Sequence, residues 1–155
     1  MTRRRRRNDY DPTLDFPNLD AEGWERTSEP TPTYNCIAWA VGESQRWWWP
    51  ERGSYWPDGF PRRADFPTFR GVLAQRGFTP CDSDQPEEGF EKIALYGVPA
   101  GDVTHAARQL PNGQWTSKLG RAQDVQHTLR GLEDGSYGSV LLILRRPSQQ
   151  PEDRD

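Results

Sequence analysis

YNCIAWA, residues 34–40, places a cysteine at the point where a loop turns into an apolar helix. Thr33 or Asn35 is suited to cap the first helical turn. The first N–H groups of a helix lack backbone partners and its dipole is positive at that end, so a thiolate at Cys36 is stabilised. We therefore expect a lowered thiol pKa and treat Cys36 as a candidate nucleophile, the alternative being a small buried core residue.

The charge of the chain is divided between a basic tail and an acidic body. A length of 155 residues suits one domain with its own core. The formal net charge is −3, and because Arg3–Arg7 contribute +5, the rest of the chain carries −8. The arginine run is short, terminal and free of aromatic residues. We therefore predict a solvated tail, with no nucleic-acid binding beyond weak contacts of that run.

The sequence predicts neither export nor membrane insertion. Its two cysteines, Cys36 and Cys81, are too few for a disulfide framework, although one bond between them is allowed. No apolar signal segment follows the charged N-terminus, and no apolar run has the length of a membrane span. We expect a cytoplasmic protein by default, while export without a leader would leave the same features. The oligomeric state is left open.

Composition divides the chain into three parts. Residues 1–30 are rich in Arg, Asp, Pro and Glu and lack helical or strand periodicity, which is typical of an extended arm that either is disordered or docks by its aromatic residues. Residues 31–147 are expected to form one α+β domain, and residues 148–155 a polar tail.

Two helices and a tryptophan-rich loop are predicted in the first half of this domain. The first helix begins at Cys36 and is expected to end near Arg46. Prolines and glycines exclude a regular element in the loop at residues 47–56, and we expect its tryptophans to plug the core rather than line a cleft. Asp65 is the predicted N-cap of the second helix, which Gly77 ends.

The second half of the domain is predicted to consist mainly of strands. Alternation and turn residues indicate strands at residues 78–81, 92–98, 103–110, 114–119 and 139–145, with a helix at residues 121–132. Helices first and strands afterwards predict an α+β fold, in which N-terminal helices pack on a mostly antiparallel sheet of about 4–6 strands.

A hairpin at Pro111-Asn112-Gly113 fixes the register of two of these strands. The three residues fit a type I turn followed by a left-handed glycine, so Leu110 faces Gln114 across the loop. Counting outward from the turn, one face of the sheet carries His105, Ala107, Gln109, Trp115 and Ser117.

The order of these features resembles the papain-like cysteine hydrolases, in particular the NlpC-type and CHAP-type amidases and peptidases. In that family a cysteine opens a helix, and a histidine follows on a strand after a Gly-Asp turn. Residues 100–107, Ala-Gly-Asp-Val-Thr-His-Ala-Ala, are similar to the histidine stretch, and a hairpin follows where the family has one. The similarity covers residues 34–118 in order and spacing, and it implies a papain-like fold.

The resemblance implies a role for each matching residue. Cys36 would be the nucleophile, with its own N–H in the oxyanion hole, and His105 the general base and then the general acid. The family's third polar residue falls at Ser117, a type that orients an imidazole weakly. This leaves open a Cys-His dyad, a site completed by Gln109 or Lys118, or an inactive site.

The surroundings of the nucleophile depart from the family, since the usual Asp-Cys-Ser is Asn35-Cys36-Ile37 here. Lys118 is either a substrate contact or a charge at the end of a strand, and we favour the second explanation. The residues expected to contact substrate or to support the site are Tyr34, Asn35, Gln109, Trp115 and Lys118.

The second histidine, His127, faces away from the apolar stripe of its predicted helix. We expect it at the surface, the alternative being a third catalytic residue. A zinc site would need His127 and His105 together with both cysteines, and no C-x-x-C or H-x-x-x-H pair begins such a site. The sequence also lacks a glycine-rich phosphate loop. We predict no cofactor and no metal.

Two functions are expected from these features. The first is a thiol-dependent hydrolase or acyl transferase acting on an amide bond in a peptide, an isopeptide, a peptidoglycan stem or a glutamine side chain, so its partner is a peptide or protein substrate. The second is a catalytically inactive papain-like binding or accessory module that uses the loop at residues 47–56. The enzyme requires Cys36 and His105 within hydrogen-bonding reach, whereas a misaligned pair favours the module.

Overall fold

Seven β-strands form a single sheet in the computed structural model, which describes residues 10–148. Their order is β1-β6-β5-β4-β3-β7-β2, and every neighbouring pair is antiparallel. The strands are β1 Trp24–Arg26, β2 Thr79–Cys81, β3 Phe90–Gly97, β4 Val103–Gln109, β5 Trp115–Lys118, β6 Asp124–His127 and β7 Ser139–Pro147. The sheet therefore contains both halves of the chain.

The predicted fold class is wrong. Instead of N-terminal helices packed on four to six strands in a papain-like arrangement, the fold is dominated by a seven-stranded sheet with three short helices among the described residues. These helices are α1 Leu19–Glu22, α2 Cys36–Ala40 and α3 Phe66–Gln75. Two strands that the sequence analysis did not assign, β1 and β6, account for much of the difference.

The helix α3 is confirmed, whereas α2 is shorter than predicted. Asp65 caps α3 by accepting a hydrogen bond from the N–H of Thr68 at 2.8 Å. The chain leaves α2 at Gly42, which has φ of +89°, a conformation that glycine adopts without steric cost. The backbone therefore turns away after five residues instead of continuing to residue 46.

Strand β6, a 3-10 turn and the loops beside them replace the helix predicted at residues 121–132. Val125, Leu129 and Leu132 have helical spacing, but Val125 lies on β6 and Leu132 in a 3-10 turn at Arg130–Leu132. A 3-10 turn repeats every three residues, so the spacing of three between Leu129 and Leu132 is the same as an α-helix would give. His127 consequently lies on a strand and is buried, and the predicted surface position is wrong.

Each face of the sheet carries its own hydrophobic cluster. The first cluster combines α2, α3 and the tryptophan-rich loop with Leu95 and Ala106 of the sheet. Trp48 and Trp56 are buried in it, which confirms that these tryptophans plug the core. Consecutive residues of a strand point to opposite faces of the sheet. The second cluster contains Ala94 and Ala107, which are next in sequence to Leu95 and Ala106, so it covers the opposite face.

The segment before residue 30 takes part in the second cluster from Tyr10 onward. Phe16, Leu19 and Trp24 are buried there, and β1 pairs with β6 through Trp24 and His127. Arg3–Arg7 and residues 149–155 lie outside the described residues, so the predictions for the arginine tail and for most of the C-terminal tail are not addressed. Within residues 10–148, no helix is long and apolar enough to cross a membrane.

Candidate functional site

The hairpin that carries the candidate histidine folds in the predicted register. The N–H of Leu110 donates to the carbonyl of Gln114 at 2.7 Å, and Gln109 pairs with Trp115. Gly113 has φ of +88°, and the side chain of Asn112 accepts from the N–H of Gln114 at 2.9 Å. The turn residues thus place β4 and β5 side by side with the expected side chains on one face.

His105, Ser117 and His127 form a buried hydrogen-bond chain, which we call the histidine chain. His105 Nε2 lies 2.8 Å from the hydroxyl oxygen of Ser117, and the same oxygen lies 2.7 Å from Nε2 of His127. Nδ1 of His127 lies 2.6 Å from the carbonyl oxygen of Thr128. The third residue predicted for the site, Ser117, therefore does contact His105, and it brings His127 with it.

The hydrogen-bond partners fix a tautomer for each neutral histidine. A carbonyl only accepts, so Nδ1 of His127 carries the proton and its Nε2 accepts from the hydroxyl of Ser117. Ser117 then accepts from a protonated Nε2 of His105. This leaves Nδ1 of His105 as a bare acceptor, and it is buried without a hydrogen-bond partner in the described part of the chain.

The histidine chain is sealed by aromatic rings. The rings of His105 and Tyr137 stack at 4.0 Å between centroids and 5° between planes, and Tyr96 meets His105 edge-on at 5.5 Å. Burial holds the pKa of His105 well below its usual value, and it lowers the pKa of His127 to about 4. Both histidines are therefore neutral at pH 7.

The environment of Cys36 differs from the one expected at a helix start. Its side chain is 8% exposed. Burial raises its thiol pKa to about 11, and the nearby N–H groups of Ala106 and Ile37 offset only part of this rise. The predicted lowering is wrong because α2 has five residues, too few for a strong dipole, and because desolvation disfavours the thiolate more.

The sheet separates Cys36 from His105. His105 pairs with Tyr96 of the second cluster, and the next residue, Ala106, pairs with Leu95 of the first cluster. Paired residues share a face, so His105 points away from the face on which α2 and Cys36 pack. The thiol makes no hydrogen bond to Nδ1 of His105, which has no partner. The structure thus brings His105 to Ser117 but not to Cys36.

The remaining predicted site residues make contacts within the fold. The amide of Asn35 caps α2 by accepting from the N–H of Ala38, and it also bonds both the N–H and the carbonyl of Trp48. The ammonium of Lys118 donates to three backbone carbonyls, those of Thr31, Gly120 and Ala122. The buried lysine therefore ties the loop before α2 to the turn between β5 and β6.

Tyr34, Gln109 and Trp115 are also engaged. The hydroxyl of Tyr34 donates to Asp124 at 3.1 Å, and burial with this carboxylate raises the pKa of Tyr34 to about 12. The side-chain amide of Gln109 donates to the carbonyl of Asp84 at 2.7 Å, and Trp115 is buried in the second cluster. These contacts stabilise loops and core rather than surround a thiol.

A groove of about 770 Å³ lies apart from Cys36 and the histidine chain. It is bounded by the end of α2, by the end of β4 and by the acidic loop before β3. We call it the Arg108 groove, after a residue that the sequence analysis did not select. Its lining residues include Val41, Gly42, Glu88, Phe90, Arg108, Leu110 and Arg146.

Arg108 lines this groove, and the carboxylates of Glu91 and Asp124 act on its charge only from beyond ion-pair distance. Its Cζ lies 4.6 Å from the centroid of a ring of Trp39, and its Nε is buried without a hydrogen-bond partner. No ion pair joins it to another residue in the range 10–148. The sequence held one signal: Arg108 is a charge on the strand face that also carries Ala106 and Leu110. The described residues contain no cluster of histidines, cysteines and carboxylates able to hold a metal ion.

The model of one protein family matches residues 25–145 of the chain. Its description is Domain of unknown function (DUF7689). The chain belongs to this family. No curated protein and no solved structure matches the chain. The matched residues run from β1 into β7, and the family description assigns no activity.

Proposed function

We propose that this protein is a binding or accessory module without thiol chemistry, and that it binds a protein or peptide partner in the Arg108 groove. The separation of Cys36 and His105 on the two faces of the sheet carries this proposal. A cysteine nucleophile needs a base within hydrogen-bonding reach, and the basic nitrogen of His105 is enclosed by aromatic rings instead.

The electrostatics support the same conclusion. A thiol pKa of about 11 leaves Cys36 almost entirely protonated at pH 7, and the protonated thiol is a poor nucleophile. We place the partner in the groove rather than on the tryptophan-rich loop, because Trp48 and Trp56 are buried in the first cluster and Trp47 and Trp49 are half-buried. Thiol hydrolase activity stays a prediction from the sequence. A cytoplasmic location is part of the proposal and agrees with two free cysteines.

The first experiment measures the rate of alkylation of Cys36 by iodoacetamide against pH, in a protein whose Cys81 is replaced by serine. We expect slow labelling that accelerates only on unfolding and is unchanged by His105→Ala in the fraction of that variant that folds. Fast labelling well below the ordinary thiol pKa, lost in His105→Ala, would contradict the proposal and restore the hydrolase.

The second experiment tests the groove. Peptides are selected from a displayed library on the wild-type protein and then measured against Glu88→Trp and Glu25→Trp. Glu88 lines the groove and is exposed, whereas Glu25 is exposed on β1. We expect the selected peptides to lose binding to Glu88→Trp and to keep it with Glu25→Trp. Equal binding to both variants would locate the binding surface elsewhere and refute the groove.

A further inference from the structure

The two arginines of the groove differ in their hydrogen-bond partners. Arg146 donates to the carbonyl of Arg76 at 3.0 Å and pairs with Glu91 at 3.2 Å, although its Nε has no partner. The guanidinium of Arg108 contacts the ring of Trp39 and makes no hydrogen bond or ion pair within the described part of the chain. Burial lowers the pKa of Arg108, and the carboxylates of Glu91 and Asp124, beyond ion-pair distance, offset part of this effect. A half-buried guanidinium without a hydrogen-bond acceptor is costly, and an anion bound to its terminal nitrogens would reduce that cost.

The form of the guanidinium limits the class of this anion. Arginine presents a planar fork of donors that matches a carboxylate or a phosphate. Its contact with the ring of Trp39, 4.6 Å from Cζ to the centroid, restricts the guanidinium to the wall of the groove. The position is therefore pre-organised, and little side-chain freedom is lost when an anion binds.

The rest of the lining favours a carboxylate over a phosphate. Glu87, Glu88 and Glu91 line the same groove as Arg108. Their negative charges disfavour a doubly charged phosphate and nucleic acid more strongly than a single carboxylate. Apolar surface from Phe90 and Leu110 is available for the group next to the carboxylate. The volume of about 770 Å³ lies in the range of roughly 300–1,000 Å³ that ligand sites occupy.

We propose that the Arg108 groove binds a carboxylate carried by a peptide segment of a partner protein, with the guanidinium of Arg108 as its ligand. This inference rests on the proposed function and names the chemistry that the groove recognises. Either a C-terminal carboxylate or the side chain of an aspartate or glutamate supplies the group. Glu88, exposed at the rim, favours a basic residue near that carboxylate in the partner.

The test uses the indole N–H of Trp39 as an NMR reporter, since this ring lies under Arg108 and its Nε1 donates to Thr116 at 3.0 Å. The probes are N-acetyl-leucine, N-acetyl-leucinamide, the α-amide of N-acetylglutamic acid and phenyl phosphate. We expect a saturable shift with N-acetyl-leucine or with the glutamic acid derivative, and the stronger of these two identifies the source of the carboxylate. We expect no shift with N-acetyl-leucinamide.

Arg108→Gln is expected to weaken the response to the carboxylate roughly ten- to a hundredfold. The matched control is Arg121→Gln, because the Cζ of Arg121 lies 5.4 Å from the centroid of a ring of Trp47 outside the groove. This control should keep the wild-type affinity. The spectra of both variants report whether they are folded.

Four outcomes would overturn the inference: no shift with either carboxylate, tighter binding of phenyl phosphate, full affinity in Arg108→Gln, or an equal shift with N-acetyl-leucine and its amide. Each of these results leaves the peptide selection against Glu88→Trp intact. Loss of the carboxylate preference is therefore distinguishable from loss of the groove itself.

Discussion

Acidification from pH 6.5 to pH 4 is expected to remove about 3 kcal/mol from the free energy of unfolding through His127 alone. Burial lowers the pKa of His127 from 6.5 to about 4. In that window the unfolded chain binds a proton that the folded chain excludes, so stability falls as the pH falls. Each pH unit contributes at most about 1.4 kcal/mol, and because the proton is only half bound at the two ends of this window of about 2.5 units, the loss is about 3 kcal/mol. His105, shifted in the same direction, adds to the loss.

The assay is urea unfolding at a series of pH values, in wild-type protein and in His127→Gln. The glutamine amide oxygen is placed to accept from Ser117, and the variant has no titrating group at that position. We expect it to be less stable at pH 7 and to lose less stability per pH unit down to pH 4. Comparing slopes also cancels the opposite contribution of Asp124, whose pKa burial raises.

Ser117→Ala is the matched control for this experiment. It removes the shared hydroxyl and is expected to cost about 1–3 kcal/mol at pH 7, because two buried nitrogens lose their partner. Both histidines stay in place, so the dependence on pH should persist. Identical slopes for wild type and His127→Gln would refute the conclusion that His127 is buried in its neutral form.

Three further changes test the parts of the fold that position the groove and the histidine chain. Asn35→Ala should cost about 2–3 kcal/mol in urea unfolding, because α2 loses its cap and Trp48 loses two backbone hydrogen bonds; a cost near zero would contradict this. Lys118→Met should cost about 3 kcal/mol or more, since three backbone carbonyls lose the ammonium that they share, and wild-type stability would contradict this role of Lys118. Gly97→Ala should prevent folding, as judged by circular dichroism, because the new Cβ would lie 2.5 Å from the carbonyl oxygen of Asp102.

Local turn and cap chemistry made part of the fold predictable from the sequence. Gly113 and its two preceding residues specify a single loop geometry, which sets the register of β4 and β5. The hydrogen bond between His105 and Ser117 becomes possible because that register places both side chains on one face of the sheet. Asp65 and Gly77 similarly bound α3, because each satisfies a backbone requirement of a helix end.

Long-range pairing limited what the sequence could predict. Strand β1 has three residues and lies beside β6, whose residues are about a hundred positions later in the chain. No local signal at Trp24 specifies such a partner. Because the sequence does not show that β1 lies beside β6, the apolar residues around Val125 indicated a helix. His127 was therefore predicted at the surface of a helix, whereas it lies in the core.

The predicted pairing of Cys36 with His105 depends on a step of the same kind. The side chains on one face of β4 and β5 were predicted correctly, but periodicity does not state which face a distant helix covers. The helix α2 packs on the Ala106 face, opposite His105. A cysteine and a histidine in the expected order were therefore placed on the two sides of one sheet.

The covering of the two faces explains where a partner can bind. The segment from Tyr10 to Trp24 and the region around Tyr137 close the second face, so His105 and His127 are enclosed and make their hydrogen bonds inside the fold. On the first face, α2 ends early at Gly42, and the end of β4 is left uncovered there. The early end of α2 therefore leaves room for the groove that Arg108 lines. Lengthening α2 by replacing Gly42 with a helix-forming residue would disfavour the turn and reduce access to the groove, which makes this glycine the residue that links the fold to the proposed binding.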